Sequence, residues 1–341
     1  MNGVYSFDFP SKGSNEVKEK LKQFNEHLKY RRSALYRIRD IDICNTGRHI
    51  EDIEDIEDTV VCTTYFTSKA DPQRNKKVNP DDIKYIEPWY FSMLKLNLFG
   101  IVFYDNLSEE FIQQYQTSKI RFVKCNLGNY SLNDERFIIY YLFFLRYSPS
   151  YLLFTDGNDV TFTVDPFPFF REKGDSTLFV GRGSENKVYH SSWNINSINK
   201  LSQNLEENMP GNFFDLAIYN AGIIGGSYNV IIYFLRQIST LFFKINKGDN
   251  NNMAAMHYVL YHYFYPNCRR GIKGFINNII GRYKIKLRYL MMKIKLGFFF
   301  NAAINYNHDN TGVSEYIFSG FPLNSKLKKY ETYSTAFIIH K

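Results

Sequence analysis

Between residues 59 and 155 strand-like and helix-like stretches alternate so regularly that few architectures accommodate the pattern. Residues 59–66 are an apolar run rich in β-branched and aromatic side chains and read as a first strand. Residues 88–98 read as a helix, 100–104 as a second strand ending at Asp105, and 120–123 as a third. Ser108 caps a helix running to 116, with Glu109 and Glu110 in the first turn, where the helix dipole favours negative charge. Ser131 and Asp134 open a helix through 147 whose wide aromatic face predicts burial against a sheet. Residues 151–155 form the next strand. This alternation predicts an α/β fold built on a mainly parallel sheet flanked by helices.

The run ends at Asp156-Gly157-Asn158-Asp159, with Val160 and then Asp165-Pro166 beyond it. Two carboxylates just past a buried strand lie where open α/β sheets bind their ligands. Asp156 and Asp159 suit a hard divalent cation, Mg or Mn, which takes oxygen ligands and keeps positions open for phosphate oxygens. The same residues are also ordinary turn formers, and on the residues alone both readings stand.

Further along, 177–181 reads as a strand and 191–212 as polar, irregular chain. Asn220, Ala221 and Gly222 begin a stretch of small residues through Gly226 that lets the backbone approach a ligand or a neighbouring strand. Helices are predicted over 229–244 and 253–264, and a final strand over 333–341 delivers His340 and Lys341. The resulting division has four parts. Residues 1–58 are an N-terminal helical extension with an acidic linker, in which Val17, Leu21, Phe24, Leu28 and Leu35 recur at near-helical spacing. Its three-residue acidic repeat at 51–58 reads as solvated. Residues 59–266 are the core, 267–300 a basic amphipathic helical segment, and 301–341 a return to the core.

Charge and cysteine usage narrow the setting. The net charge is +8, and nine basic residues without one acidic residue lie between Asn250 and His308, so the basicity is local. Cations interleaved with apolar residues there predict either a helix resting on an anionic membrane or a core helix with a solvated basic face. The four cysteines form no C-x-x-C pair, which argues against a zinc site or a disulfide framework and for a reducing compartment. The N-terminus lacks the layout of a signal peptide and no apolar run is long enough to span a bilayer, so a cytoplasmic protein is expected. No nucleic-acid motif is visible, and a nucleic-acid partner is not expected.

In order, these pieces resemble the nucleotide-sugar-dependent glycosyltransferases of the GT-A fold. The Asp-x-x-Asp-Val pattern at Asp156, Asp159 and Val160 is most similar to the glycosyltransferase domains of collagen lysyl hydroxylases and related viral and bacterial sugar transferases. The resemblance covers about residues 59–266 and 301–341. It implies a Rossmann-like GT-A sheet and the transfer of a sugar from a nucleoside diphosphate to an acceptor hydroxyl on a glycan, a lipid-linked glycan or a protein. It also implies that Asp156, Asp159 and His340 hold Mn or Mg, with Lys341 and Arg136 on the diphosphate or sugar. Thr63 and Thr64 would sit under the base and ribose, and Asn220, Ala221 and Gly222 would line the sugar pocket. Similar enzymes place an Asp before the helix that starts here near Asn252. That slot is Asn252, with Asp249 the nearest carboxylate, so these two are the candidates for the catalytic group. Two other functions compete. A nucleotidyltransferase making activated sugars would carry a Gly-rich loop with Arg after the first strand, which this chain lacks. A basic module binding membrane or nucleic acid would leave the carboxylates without a role.

Overall fold

The computed structural model of the chain describes residues 47–264, except 73, 176, 210–212, 215 and 246–248, together with 317–319 and 337–340. In chain order, β1 (Thr59–Tyr65) is followed by a small hairpin, β2 (Ala70–Asp71) and β3 (Lys76–Lys77), and by helix α1 (Glu87–Lys95). Next come β4 (Gly100–Tyr104), α2 (Glu109–Tyr115), β5 (Ile120–Lys124), α3 (Leu132–Phe144) and β6 (Tyr151–Thr155). Then follow β7 (Val160–Phe162), α4 (Phe167–Lys173), β8 (Leu178–Lys187), α5 (Ser192–Asn204), β9 (Ala217–Ser227) and α6 (Tyr228–Phe242). Helix α7 (Asn252–Val259) continues into a π-helical turn, and β10 (Ile317–Ser319) and β11 (Ile338–His340) complete the described chain.

Seven of these strands form one sheet in the order β10-β8-β9-β6-β1-β4-β5. Strands β5, β4, β1 and β6 are mutually parallel, β9 runs against both its neighbours, and β10 is parallel to β8. The predicted α/β fold with a mostly parallel sheet is what forms. Successive strands β1, β4 and β5 step outward, then α3 carries the chain back to place β6 on the other side of β1. The order therefore reverses between β1 and β6, and the crevice beyond their carboxyl ends is the place where such sheets bind ligands.

The two-residue period of the strands divides the core. Val60, Cys62, Ile101, Phe103, Leu152 and Phe154 face α3, α6 and α7 on one side. Val61, Val102 and Leu153 face Trp89 and Met93 of α1 and Phe167 and Phe170 of α4 on the other. Both faces are covered, which explains the unbroken apolar runs.

Two stretches differ from their sequence reading. The polar stretch 191–212 contains helix α5. Ser191 caps it by accepting the Asn194 N–H at 3.3 Å, and Ile198 and Leu201 are fully buried. With Ile195 and Leu205 they make a narrow apolar stripe at helical spacing, easily lost among polar neighbours. The acidic repeat is not a free linker. Its three-residue period turns Ile53 and Ile56 onto the core and leaves the carboxylates outside, where Asp52 meets Arg146 at 2.8 Å and Glu57 meets Lys119 at 2.6 Å. Just before it, Arg48 forks onto the buried Glu135 at 2.9 and 3.0 Å, and Ile50 bridges to Cys125. The extension expected over 14–39, the basic segment 267–300 and Lys341 lie outside the described residues. Among the described residues no helix is long and apolar enough to cross a membrane.

The Arg48–Glu135 pair generates a test. Both side chains are buried, so removing the cation strands a desolvated carboxylate, a loss of about 3–5 kcal/mol. Arg48→Met is expected to lower the urea midpoint accordingly, with less loss when Glu135→Leu accompanies it. A midpoint equal to wild type would show that residues 47–58 add nothing to the folded unit.

Candidate metal centre

Asp156 is the first residue past β6, and its N–H still pairs with the Gly222 carbonyl of β9 at 2.9 Å. The chain then turns tightly over Thr63 of β1. A Cβ on Gly157 would lie 2.8 Å from the Thr63 hydroxyl and 3.2 Å from Ile86, so no larger residue fits. Beyond the turn Asp159 leads into β7, which pairs antiparallel with β11. In that register His340 stands opposite Val160, next to Asp159. The pairing is reinforced by the Thr163 N–H donating to the Phe337 carbonyl at 3.0 Å.

Three motifs distant in sequence thus meet at one point. The His340 Nε2 atom lies 3.3 Å from an Asp156 oxygen and 3.2 Å from an Asp159 oxygen. One ligand atom from each of the three residues falls within 4.8 Å of the others. The imidazole is 2% exposed, while the carboxylates are 28% and 25% exposed, so the ring forms a floor and the acids face the crevice. Two ligands at right angles on an ion with bonds of about 2.1 Å stand about 3 Å apart, close to these separations. One nitrogen and two carboxylates are donors that a divalent cation accepts, and the imidazole favours Mn over Mg. The residues fit such an ion.

The electrostatics keep Asp156 charged. Burial alone would raise the pKa of Asp156, but Arg136 and His340 outweigh it and hold this carboxyl far below the usual range. For His340, burial lowers the pKa and the hydrogen bonds to Asp156 and Asp159 raise it by more, so the ring favours its protonated form between them. A cation must displace that proton. Arg136 on α3 donates to Asp156 and, at 2.9 Å, to the Ala221 carbonyl, which locks the strand segment around Gly222. Gly222 is wedged between the ligands, where a Cβ would lie 2.6 Å from the His340 ring and inside the Asp156 carboxylate. Asn220 turns its amide oxygen onto the Gly222 N–H at 2.7 Å.

The other candidates are more scattered. Thr63 is buried beneath the turn with no partner for its hydroxyl among the described residues, and Thr64 is half-buried on the same strand. Asp249 is exposed in the loop before α7. Asn252 is buried and its amide oxygen accepts the Met253 N–H at 2.8 Å. The Met253 sulfur takes the Ala221 N–H at 3.4 Å, seating the start of α7 beside the Gly222 strand. Two residues in this region carry no sequence signal. Tyr85, in a short 3-10 turn, feels the charge of Asp156 and Asp71, and burial with those charges pushes its hydroxyl pKa up. Asp134 begins α3 as expected but is fully buried, and both its oxygens accept the Asn251 N–H at 3.2 Å. His257 bonds Met253 and the β9 backbone as a core histidine, with its pKa lowered by burial.

No protein-family model matches the chain, and no curated protein matches it.

The wedge at Gly222 predicts a separation of folding from metal binding. Gly222→Ala is expected to weaken Mn binding, measured by titration calorimetry, roughly 10- to 100-fold with native circular dichroism. Wild-type affinity would mean that the ion does not sit between Asp156 and His340.

Asp134 gives a pH dependence. Burial pushes its pKa up to about 7, against the pull of the Asn251 and Ser131 hydrogen bonds and of Arg136. An unfolded Asp titrates near pH 3.9, so the folded state holds the extra proton between these values. The stability it contributes is complete below about pH 4 and is lost as pH rises through about 7, at up to roughly 1.4 kcal/mol per pH unit. Asp134→Asn is expected to flatten this slope in urea unfolding, and identical slopes would refute the assignment.

Proposed function

We propose that the protein is a metal-dependent glycosyltransferase of the GT-A kind, moving a sugar from a nucleoside diphosphate to an acceptor hydroxyl. The observation that carries this reading is the convergence of Asp156, Asp159 and His340 in the crevice where the strand order reverses. The resemblance in the sequence assigns the same three residues to the metal, and no local rule would bring residue 340 to residue 159.

In the reaction the bond from the anomeric carbon to the diphosphate oxygen breaks, and its electron pair leaves with the diphosphate. The acceptor oxygen bonds to the anomeric carbon and gives up its proton. Asp156, Asp159 and His340 would hold a divalent cation, whose chemistry when bound would be to neutralise charge on the leaving diphosphate. Arg136 keeps Asp156 ionised and in place. Its Nε–H and the Thr63 hydroxyl are buried without partners among the described residues, the kind of polar groups that a ligand or ordered water satisfies. Asp249 is the carboxylate available to receive the acceptor proton, whereas Asn252 is committed to its helix.

The test is release of nucleoside diphosphate from a panel of nucleotide sugars. Hydrolysis is expected with Mn, and loss of about 100-fold or more is expected in Asp159→Ala. Turnover undiminished in excess chelator would overturn the mechanism. Pyrophosphate made from a nucleoside triphosphate and a sugar phosphate would instead identify a nucleotidyltransferase.

A further inference from the structure

A concave site lies between α5 and the loop that precedes α7. It is a cleft of 480 Å³ lined by Trp193, Ser197 and Lys200 of α5 and by Asp249, Asn250 and Asn251 before α7. The volume is in the roughly 300–1,000 Å³ range of small-ligand sites. Trp193, Ser197 and Lys200 follow one another at helical spacing and so share one face of α5. Pro72, beside the hairpin that follows β1, also lines the cleft and places it toward the carboxyl end of the sheet.

A lone exposed aromatic on a surface needs no explanation. Trp193 is 49% exposed, but it stands in a concavity whose other walls, Pro72 apart, are polar. The opposite wall is anchored through the Asn251 N–H on the buried Asp134 carboxylate at 3.2 Å and through the Asn251 amide on the Asp249 carbonyl at 3.2 Å. Asp134 lies two residues before Arg136, which holds Asp156, so little more than half a helical turn separates the supports of the cleft and of the metal centre.

The lining selects a ligand chemistry. It offers one flat indole face, a carboxylate acceptor, an ammonium donor, and amide and hydroxyl groups that do both. A pyranose matches this set, having a C–H face that lies on an aromatic ring and hydroxyls that need donors and acceptors together. An anionic ligand would meet Asp249 against the single cation Lys200. A peptide groove would show a free strand edge or a row of apolar pockets, and these residues supply neither.

We propose that this cleft binds a neutral sugar and serves as the acceptor subsite. The acceptor role rests on the transferase reading above, whereas the sugar binding does not. The experiment is acrylamide quenching of tryptophan emission without metal or donor, in the presence of millimolar lactose, cellobiose, maltose or chitobiose. The chain has two tryptophans, and Trp89 is fully buried, so the quenchable emission is that of Trp193. At least one sugar is expected to protect it, and saturation-transfer NMR on that sugar should lose its signal in Trp193→Ala and keep it in Trp193→Phe. If no sugar protects Trp193 or gives saturation transfer, or if the signal survives Trp193→Ala, the inference is wrong, even where nucleotide-sugar hydrolysis proceeds. Sugar protection without any hydrolysis would support the cleft and overturn the transferase reading alone.

Discussion

Three consecutive ionisable side chains, Asp134, Glu135 and Arg136, are buried near the start of α3, and the described fold is arranged to answer them. Buried charges are tolerated only when paired or hydrogen-bonded, and a helix turns successive side chains by about 100°. Each charge therefore needs its own partner from a different direction. Asp134 takes the loop before α7. Glu135 takes Arg48, the Tyr130 N–H and, at 4.0 Å, Lys69. Arg136 takes Asp156 and the β9 backbone. One short stretch of helix thus aligns the N-terminal approach, Asp156 and the wall of the cleft.

This arrangement explains why the site can be preorganised although its ligands come from separate elements. Asp156 is held on three sides: its N–H by β9, one oxygen by Arg136, and the other beside His340. Asp159 and His340 are related by the β7–β11 pairing rather than by the main sheet. The floor of the site is therefore attached to a small separate ribbon, and packing of Ile338 into the α1–α4 side of the core seats that ribbon.

Much of this was legible in the sequence because it is local. The strands at 100–104 and 151–155 coincide with their apolar runs, and the Ser108 and Ser131 caps form as capping chemistry requires. The turn at Asp156–Asp159 follows from its residues, but its approach to His340 does not. The β7–β11 contacts join residues 174 positions apart, as at Thr163 and Phe337, and no period or cap encodes such a pairing. Only the family resemblance linked the two. Helix α5 was hidden because its buried stripe is narrow, and the acidic repeat because its isoleucines are outnumbered by charge. Asp134 reads as a helix-start residue, and nothing local distinguishes a solvated one from one that accepts a distant N–H.

The electrostatic demand at the site admits two solutions, and this bears on how binding proceeds. Among the described residues, the two carboxylates share the crevice with the permanent cation Arg136, which pairs with Asp156. Near Asp159, His340 can supply positive charge as a proton or help to hold it as a metal ion. Cation binding would then exchange a proton for a metal at a ribbon whose strand pairing is already formed.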